Sequence, residues 1–189
     1  MAEPSASRRV RLIGGMRQFL QFGIVGGSGV IVNMAAVIFA TKMGLWSAGL
    51  HADDPFMNIL GTAFNVRWYH IYYTFAFLVA NTWNYQMNRM WTFRGANTRS
   101  WWRGFFPFLF TGVGAFLVTQ VVATLLMNPT SPIALSDAFF DGSSGLRTKH
   151  YWANLIATLV AMPINFVINK LWTFRGKRVV VVAQEEPAA

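Results

Sequence analysis

Four stretches of the chain are apolar at nearly every position, from about Phe19 to Thr41, Ile71 to Trp91, Phe105 to Met127 and Tyr151 to Trp172. A hydrocarbon core of about 30 Å is crossed by roughly 20 helical residues, each rising about 1.5 Å, and every stretch has that length. The pattern therefore predicts four transmembrane helices and an all-α polytopic membrane protein. Polar positions interrupt these runs at helical spacing. At about 100° per residue, Asn81, Asn84, Asn88 and Trp91 share a sector of about 80° on the second span, and Asn165, Asn169 and Trp172 repeat it on the fourth. A row of carboxamides so placed is expected to turn toward protein or water, not lipid.

Between the first two spans and the last two lie long connections, about 43 to 69 and 128 to 149, rich in Asp, Gly, Ser and Pro, as in "HADDP" and "DGSSG". They read as loops. Within the first, Pro55 to Val66 is apolar yet too short to span, which leaves an interfacial or re-entrant piece as an alternative to a plain loop.

The two polar rows belong to a longer repetition. "NYQMNRMWTFRG" begins at Asn84 and "NFVINKLWTFRG" at Asn165, with Arg89 opposite Lys170. Earlier in each half, Arg17, Phe19, Phe22 and Gly26 match Arg103, Phe105, Phe108 and Gly112. The chain reads as an internal duplication, with repeats 17–95 and 103–176, a basic segment 1–16 before them and a tail 177–189 after. Each repeat holds an even number of spans, so both insert the same way up, related by an axis along the membrane normal. Gly26, Gly29 and Asn33 form a narrow stripe on the first span, as do Gly112, Ala115 and Thr119 on the third. Those two spans are expected to line the interface between the halves.

Composition agrees with this reading: 54% of residues are hydrophobic and only 12% charged, which excludes an ordinary soluble domain. The start "SRRVRLIGG" is followed by a long apolar run without a small-residue cleavage site, and so reads as the approach to a first span rather than a signal peptide. The net charge of +9 comes from Lys and Arg concentrated near span ends, which suits anionic lipid head groups and not nucleic acid. Arg8, Arg9, Arg11, Arg17, Arg94, Arg99, Arg103, Arg175, Lys177 and Arg178 all fall on one side, placing both termini in the cytoplasm.

Chemistry is limited by what the spans lack. The absence of cysteine removes disulfides, thiol nucleophiles and thiolate metal sites. No Asp or Glu lies within any span, so no membrane carboxylate can carry protons, and acid–base chemistry would fall to His51, His70, His150 and loop aspartates on the outer side. A non-enzymatic protein without metal or cofactor is expected. The cluster "GIVGGSG" matches neither phosphate-loop pattern and lies inside a span, where it serves close helix packing. Pro163 predicts a kink in the fourth span beside its polar row. Arg89 and Lys170, next to amide donors, suit an anionic group at the inner end of a groove. The alternative is structural: asparagines bonding between helices, with the two cations snorkelling at the span ends.

On "RQFLQFGIVGGSGVIVN" in the first span and the repeated Asn-x-x-x-Asn-basic-x-Trp-Thr-Phe, the chain resembles the GtrA-like family of small four-span bacterial membrane proteins, over about Arg17 to Gly176. The resemblance implies a place in cell-surface polysaccharide synthesis at the bacterial cytoplasmic membrane. It implies flipping of a polyprenyl-phosphate-linked monosaccharide from the cytoplasmic to the outer leaflet or, alternatively, a non-catalytic adaptor that recruits a membrane glycosyltransferase. The positions it carries over as substrate-binding are Asn33, Asn84, Asn88, Arg89, Trp91, Asn165, Asn169, Lys170 and Trp172. Such a lipid would set its phosphate against the cations and its sugar hydroxyls against asparagines, with the ring stacked on Trp91 or Trp172. A homo-oligomer joined through the small-residue stripes is a further structural expectation.

Overall fold

The computed structural model describes residues 6–92 and 100–174, with side chains described at 21, 23–91 and 100–163. Four helices dominate: α1 (Ala6–Ala48), α2 (Trp68–Met87), α3 (Trp101–Met127) and α4 (Lys149–Phe174). A π turn, Asn88–Thr92, continues α2, and a 3₁₀ turn, Gly145–Arg147, precedes α4. The apolar segment between α1 and α2 is neither helical nor irregular. It forms an antiparallel hairpin of β1 (Pro55–Asn58) and β2 (Asn65–Arg67), pairing Pro55 with Arg67, Met57 with Val66 and Asn58 with Asn65.

Local chemistry accounts for the helix ends. Gly49 adopts φ of 64° and its N–H bonds the Leu45 carbonyl at 2.9 Å, closing α1 with the left-handed residue that glycine accepts most readily. Asn128 precedes Pro129 and is extended, at φ −74° and ψ 117°, because the proline ring disfavours helix at the residue before it. Within their interiors α3 and α4 run on through Pro107 and Pro163. The glycines of "GIVGGSG" remain helical although each costs about 1 kcal/mol against Ala in water. A backbone in apolar surroundings has only itself to bond, which favours helix over any open conformation.

Each helix packs on two others. α1 lies along α2 and α3 along α4, while α2 with α3 and α1 with α4 join the two pairs into a ring. This differs from the expected interface between the first and third spans. The reason is volume matching. Gly44 of α1 receives the Tyr72 hydroxyl and Gly104 of α3 receives that of Tyr85, so the larger side chains of α2 seat into gaps on both neighbours. Of the small residues that the sequence suggested for α1–α3 contact, Gly29 and Gly112 likewise face Asn84 and Asn81 of α2, whereas Asn33 turns to α4.

The densest core lies toward the hairpin end, where Val37, Tyr73, Ala76, Ala123, Ala153 and Ala157 are essentially fully buried. At this end Lys149 donates to the Asp137 carboxylate at 2.7 Å and to the Met127 carbonyl at 3.3 Å, tying the start of α4 to the end of α3. Arg147 pairs with Asp141 at 3.1 Å. Hydrogen bonds from Ser143, together with nearby Arg147, hold the Asp141 carboxyl below its usual range. The outward faces are of another kind. Gly23–Ala48 and Trp101–Met127 are long and apolar enough to cross a membrane, yet only 22% and 11% of their apolar windows are buried within the protein. Core helices of a soluble protein would be mostly buried, so these faces are suited to lipid.

Candidate functional site

The polar face of α2 runs between α1 and α3. Asn88 is 4% exposed and Asn81 8%, and Asn84 is half-buried. The Asn84 carboxamide lies over Gly29, where a Cβ would collide with it, and Asn81 lies over Gly112, 3.0 Å from where a Cβ would stand. The glycines are therefore what lets these amides enter the bundle. Once inside, Asn81 Nδ2, Asn84 Oδ1 and Asn88 Oδ1 have no hydrogen-bond partner. Each such group left without a partner costs about 1–3 kcal/mol.

Below this row the backbone changes. The π turn covers Asn88, Arg89, Met90, Trp91 and Thr92, the middle of the repeated motif. A π turn has more residues per turn than an α-helix and alters the phase of the residues C-terminal to it. Trp91, within this turn, is 43% exposed, whereas Asn81 and Asn88 above it are buried. Arg89 is half-buried, and its Nη1 donates to the Tyr85 hydroxyl at 3.2 Å. That hydroxyl in turn donates to the Trp101 carbonyl at 2.8 Å, and Trp101 Nε1 donates to Gln86 Oε1 at 2.9 Å. Tyr85 also meets the ring of Trp101 edge-on at 5.2 Å, and Trp101 stacks on Phe105 at 4.7 Å. The motif cation is thus oriented by an aromatic corner built from the start of α3, which the repeat alone did not reveal.

Asn33 has a different partner from the one its position suggested. Its Oδ1 accepts a 2.7 Å bond from Asn154 Nδ2 of α4, joining α1 to α4. Asn154 is 1% exposed, and its own Oδ1 is unpartnered. Nearer the hairpin, Thr41 bonds His150 at 3.0 Å, and the Tyr73 hydroxyl donates to the His150 carbonyl at 2.7 Å. Across the other seam, Gln120 joins α3 to α2 through the His70 ring and the His70 carbonyl, both at 3.2 Å. Asn154 and Gln120 were missed by a reading centred on the repeat. Each is a lone amide within an apolar run, a signal that could have found them.

The matching residues of the second half, Asn165, Asn169, Lys170 and Trp172, lie on α4, but their side chains fall outside the described residues. Among the described residues no group of three or more His, Asp or Glu side chains could hold a metal ion.

The arrangement amounts to apolar outer faces around amide-bearing seams, with an oriented arginine at one end. The chain matches the family model "GtrA/DPMS, transmembrane domain" over residues 21–140 and 134–185, a region that takes in all the described amides and both copies of the motif. Comparison with curated proteins returned no match, and neither did comparison with solved structures. The family match covers most of the chain and explains why its helices leave so much apolar surface outward: this protein is a helical membrane protein of the GtrA/DPMS transmembrane-domain family.

Proposed function

We propose that all four helices cross the bacterial cytoplasmic membrane as two parallel two-helix repeats with both termini cytoplasmic, and that the protein flips a polyprenyl-phosphate-linked monosaccharide to the outer leaflet. The observation that carries this reading is the row of orphaned amide groups on Asn81, Asn84 and Asn88 running up from Arg89. Uncharged donors and acceptors suit sugar hydroxyls, and a guanidinium suits a phosphate. The association of the family with sugar-lipid translocation supports the same substrate class. In this reading Arg89 and Lys170 hold the phosphate at the cytoplasmic end. Asn84, Asn88, Asn165 and Asn169 bond the sugar, Asn33 extends the path toward the outer side, and Trp91 and Trp172 offer aromatic faces to the ring. The prenyl chain stays in lipid, and no step requires a cofactor.

The test is transfer of a polyprenyl-phosphate sugar across reconstituted vesicles. The double substitution Arg89→Ala with Lys170→Ala is expected to abolish transfer while leaving the protein inserted. Unchanged transfer rates would refute the site. A wild-type protein that moves no lipid but co-purifies stoichiometrically with a membrane glycosyltransferase would favour the adaptor role instead.

A further inference from the structure

The hairpin between α1 and α2 has its polar and apolar groups sorted in an unusual sense. Asn58 Oδ1 accepts from the Gly61 N–H at 2.7 Å, and Asn58 Nδ2 reaches the carbonyls of Thr62 at 2.8 Å and Phe64 at 3.2 Å. The Thr62 hydroxyl donates to the Ile59 carbonyl at 2.7 Å, and the Ile59 N–H bonds the Phe64 carbonyl at 3.0 Å. The tip therefore meets much of its hydrogen-bonding demand internally. Outward it presents apolar side chains: Leu60 is 97% exposed, Phe64 69% and Met57 56%. Leu60 is held there at φ of 50°, a left-handed conformation that a leucine rarely adopts. From Pro55 to Val66 there is no charged residue.

A water-facing loop has no need to pair its polar atoms with one another while displaying leucine and phenylalanine, whereas a segment entering lipid must pair the first and can display the second. We propose that the tip of this hairpin, residues 57–64, is inserted into the interfacial region of the outer leaflet. The occupant of its apolar surface is lipid because aromatic side chains, the residues of membrane interfaces, also stand at the ends of the two helices it joins. Trp46, at the end of α1, is 83% exposed, and Phe56 packs edge-on against Trp68 at the start of α2, at 5.0 Å. Arg67 anchors the base by donating to the Asp53 carbonyl. The finger fixes the outer ends of α1 and α2 at one depth. The inference rests on the reading that these helices cross the membrane.

The chain contains no cysteine, so single labels can be placed cleanly. A nitrobenzoxadiazole label at Ala63→Cys would be compared with one at Ile31→Cys on the exposed face of α1 and one at Ser143→Cys in the other connection, in vesicles of phosphatidylethanolamine and phosphatidylglycerol. The Ala63 label is expected to be quenched several-fold more by shallow nitroxide lipids than by aqueous iodide, with the reverse at Ser143. Adding Leu60→Asp and Phe64→Asp should move the Ala63 label into iodide reach. Iodide access at Ala63 equal to that at Ser143, with Ile31 still quenched by lipid, overturns the insertion alone. Shielding of Ala63 from both quenchers also overturns it, since a protein surface would then cover the tip. Iodide access at Ile31 overturns the membrane reading as well.

Discussion

The bond between Asn33 and Asn154 offers a quantitative test of how the two halves meet. It spans α1 and α4 at 2.7 Å, and Asn154 is 1% exposed, so water is a poor substitute partner. Asn154 Oδ1 already lacks a partner, and Asn33→Ala would orphan Nδ2 too, at about 1–3 kcal/mol. Asn154→Ala removes the buried amide itself and leaves Asn33 half-buried, so its cost comes mainly from the lost bond and the small void. Interhelical bonds of this kind average about 0.6 kcal/mol in membrane proteins and reach about 1.7, because the unfolded state in lipid also finds partners. The double-mutant cycle should therefore yield a coupling of about 0.6–1.7 kcal/mol, roughly 3- to 18-fold in the unfolding constant. It is measured by detergent-driven unfolding in mixed micelles, monitored by far-UV circular dichroism. Coupling below about 0.3 kcal/mol would mean that α1 and α4 are not joined through these residues and would refute the ring arrangement.

Three further outcomes rest on named contacts. Gly104→Ala forces the Tyr85 hydroxyl out of its seat and away from the Trp101 carbonyl, and should lower stability by about 1–3 kcal/mol in thermal unfolding, against about 1 kcal/mol for Tyr85→Phe, which keeps the ring. Gly29→Ala displaces the Asn84 carboxamide and should reduce sugar-lipid transfer together with stability, whereas Gly114→Ala, with open space around its Cβ, should not lower stability and should gain up to about 1 kcal/mol of helix propensity. Asp141 has its carboxyl held below the ordinary value of 3.8, so its contribution to the loop is complete above that pH and is lost as pH falls through the lowered folded value; protection of the Ser143 amide in hydrogen exchange should decline over the same interval.

Much of the helical architecture is legible in residue order because its causes are local. Run length, the proline after Asn128 and the glycine after Ala48 act within a turn or two of where they stand, and the structure puts α1 to α4 over the four apolar runs. The burial of the asparagine row is legible for the same reason, since period alone places Asn81, Asn84 and Asn88 on one face. The π turn over Asn88–Thr92 is not, because such a turn leaves no mark in an apolar pattern.

What residue order alone determined was the set of four helices, their apolar lengths and the exclusion of carboxylates from the apolar runs. Tertiary structure decided the partners: Asn33 with Asn154, Asn84 over Gly29, Tyr85 over Gly104, and the hairpin in place of a loop. The physical reason is that hydrophobic periodicity belongs to one helix at a time. Which helices meet depends on whether a gap in one fits the bulk of another, a property shared by residues far apart in the chain and set only when both are in place.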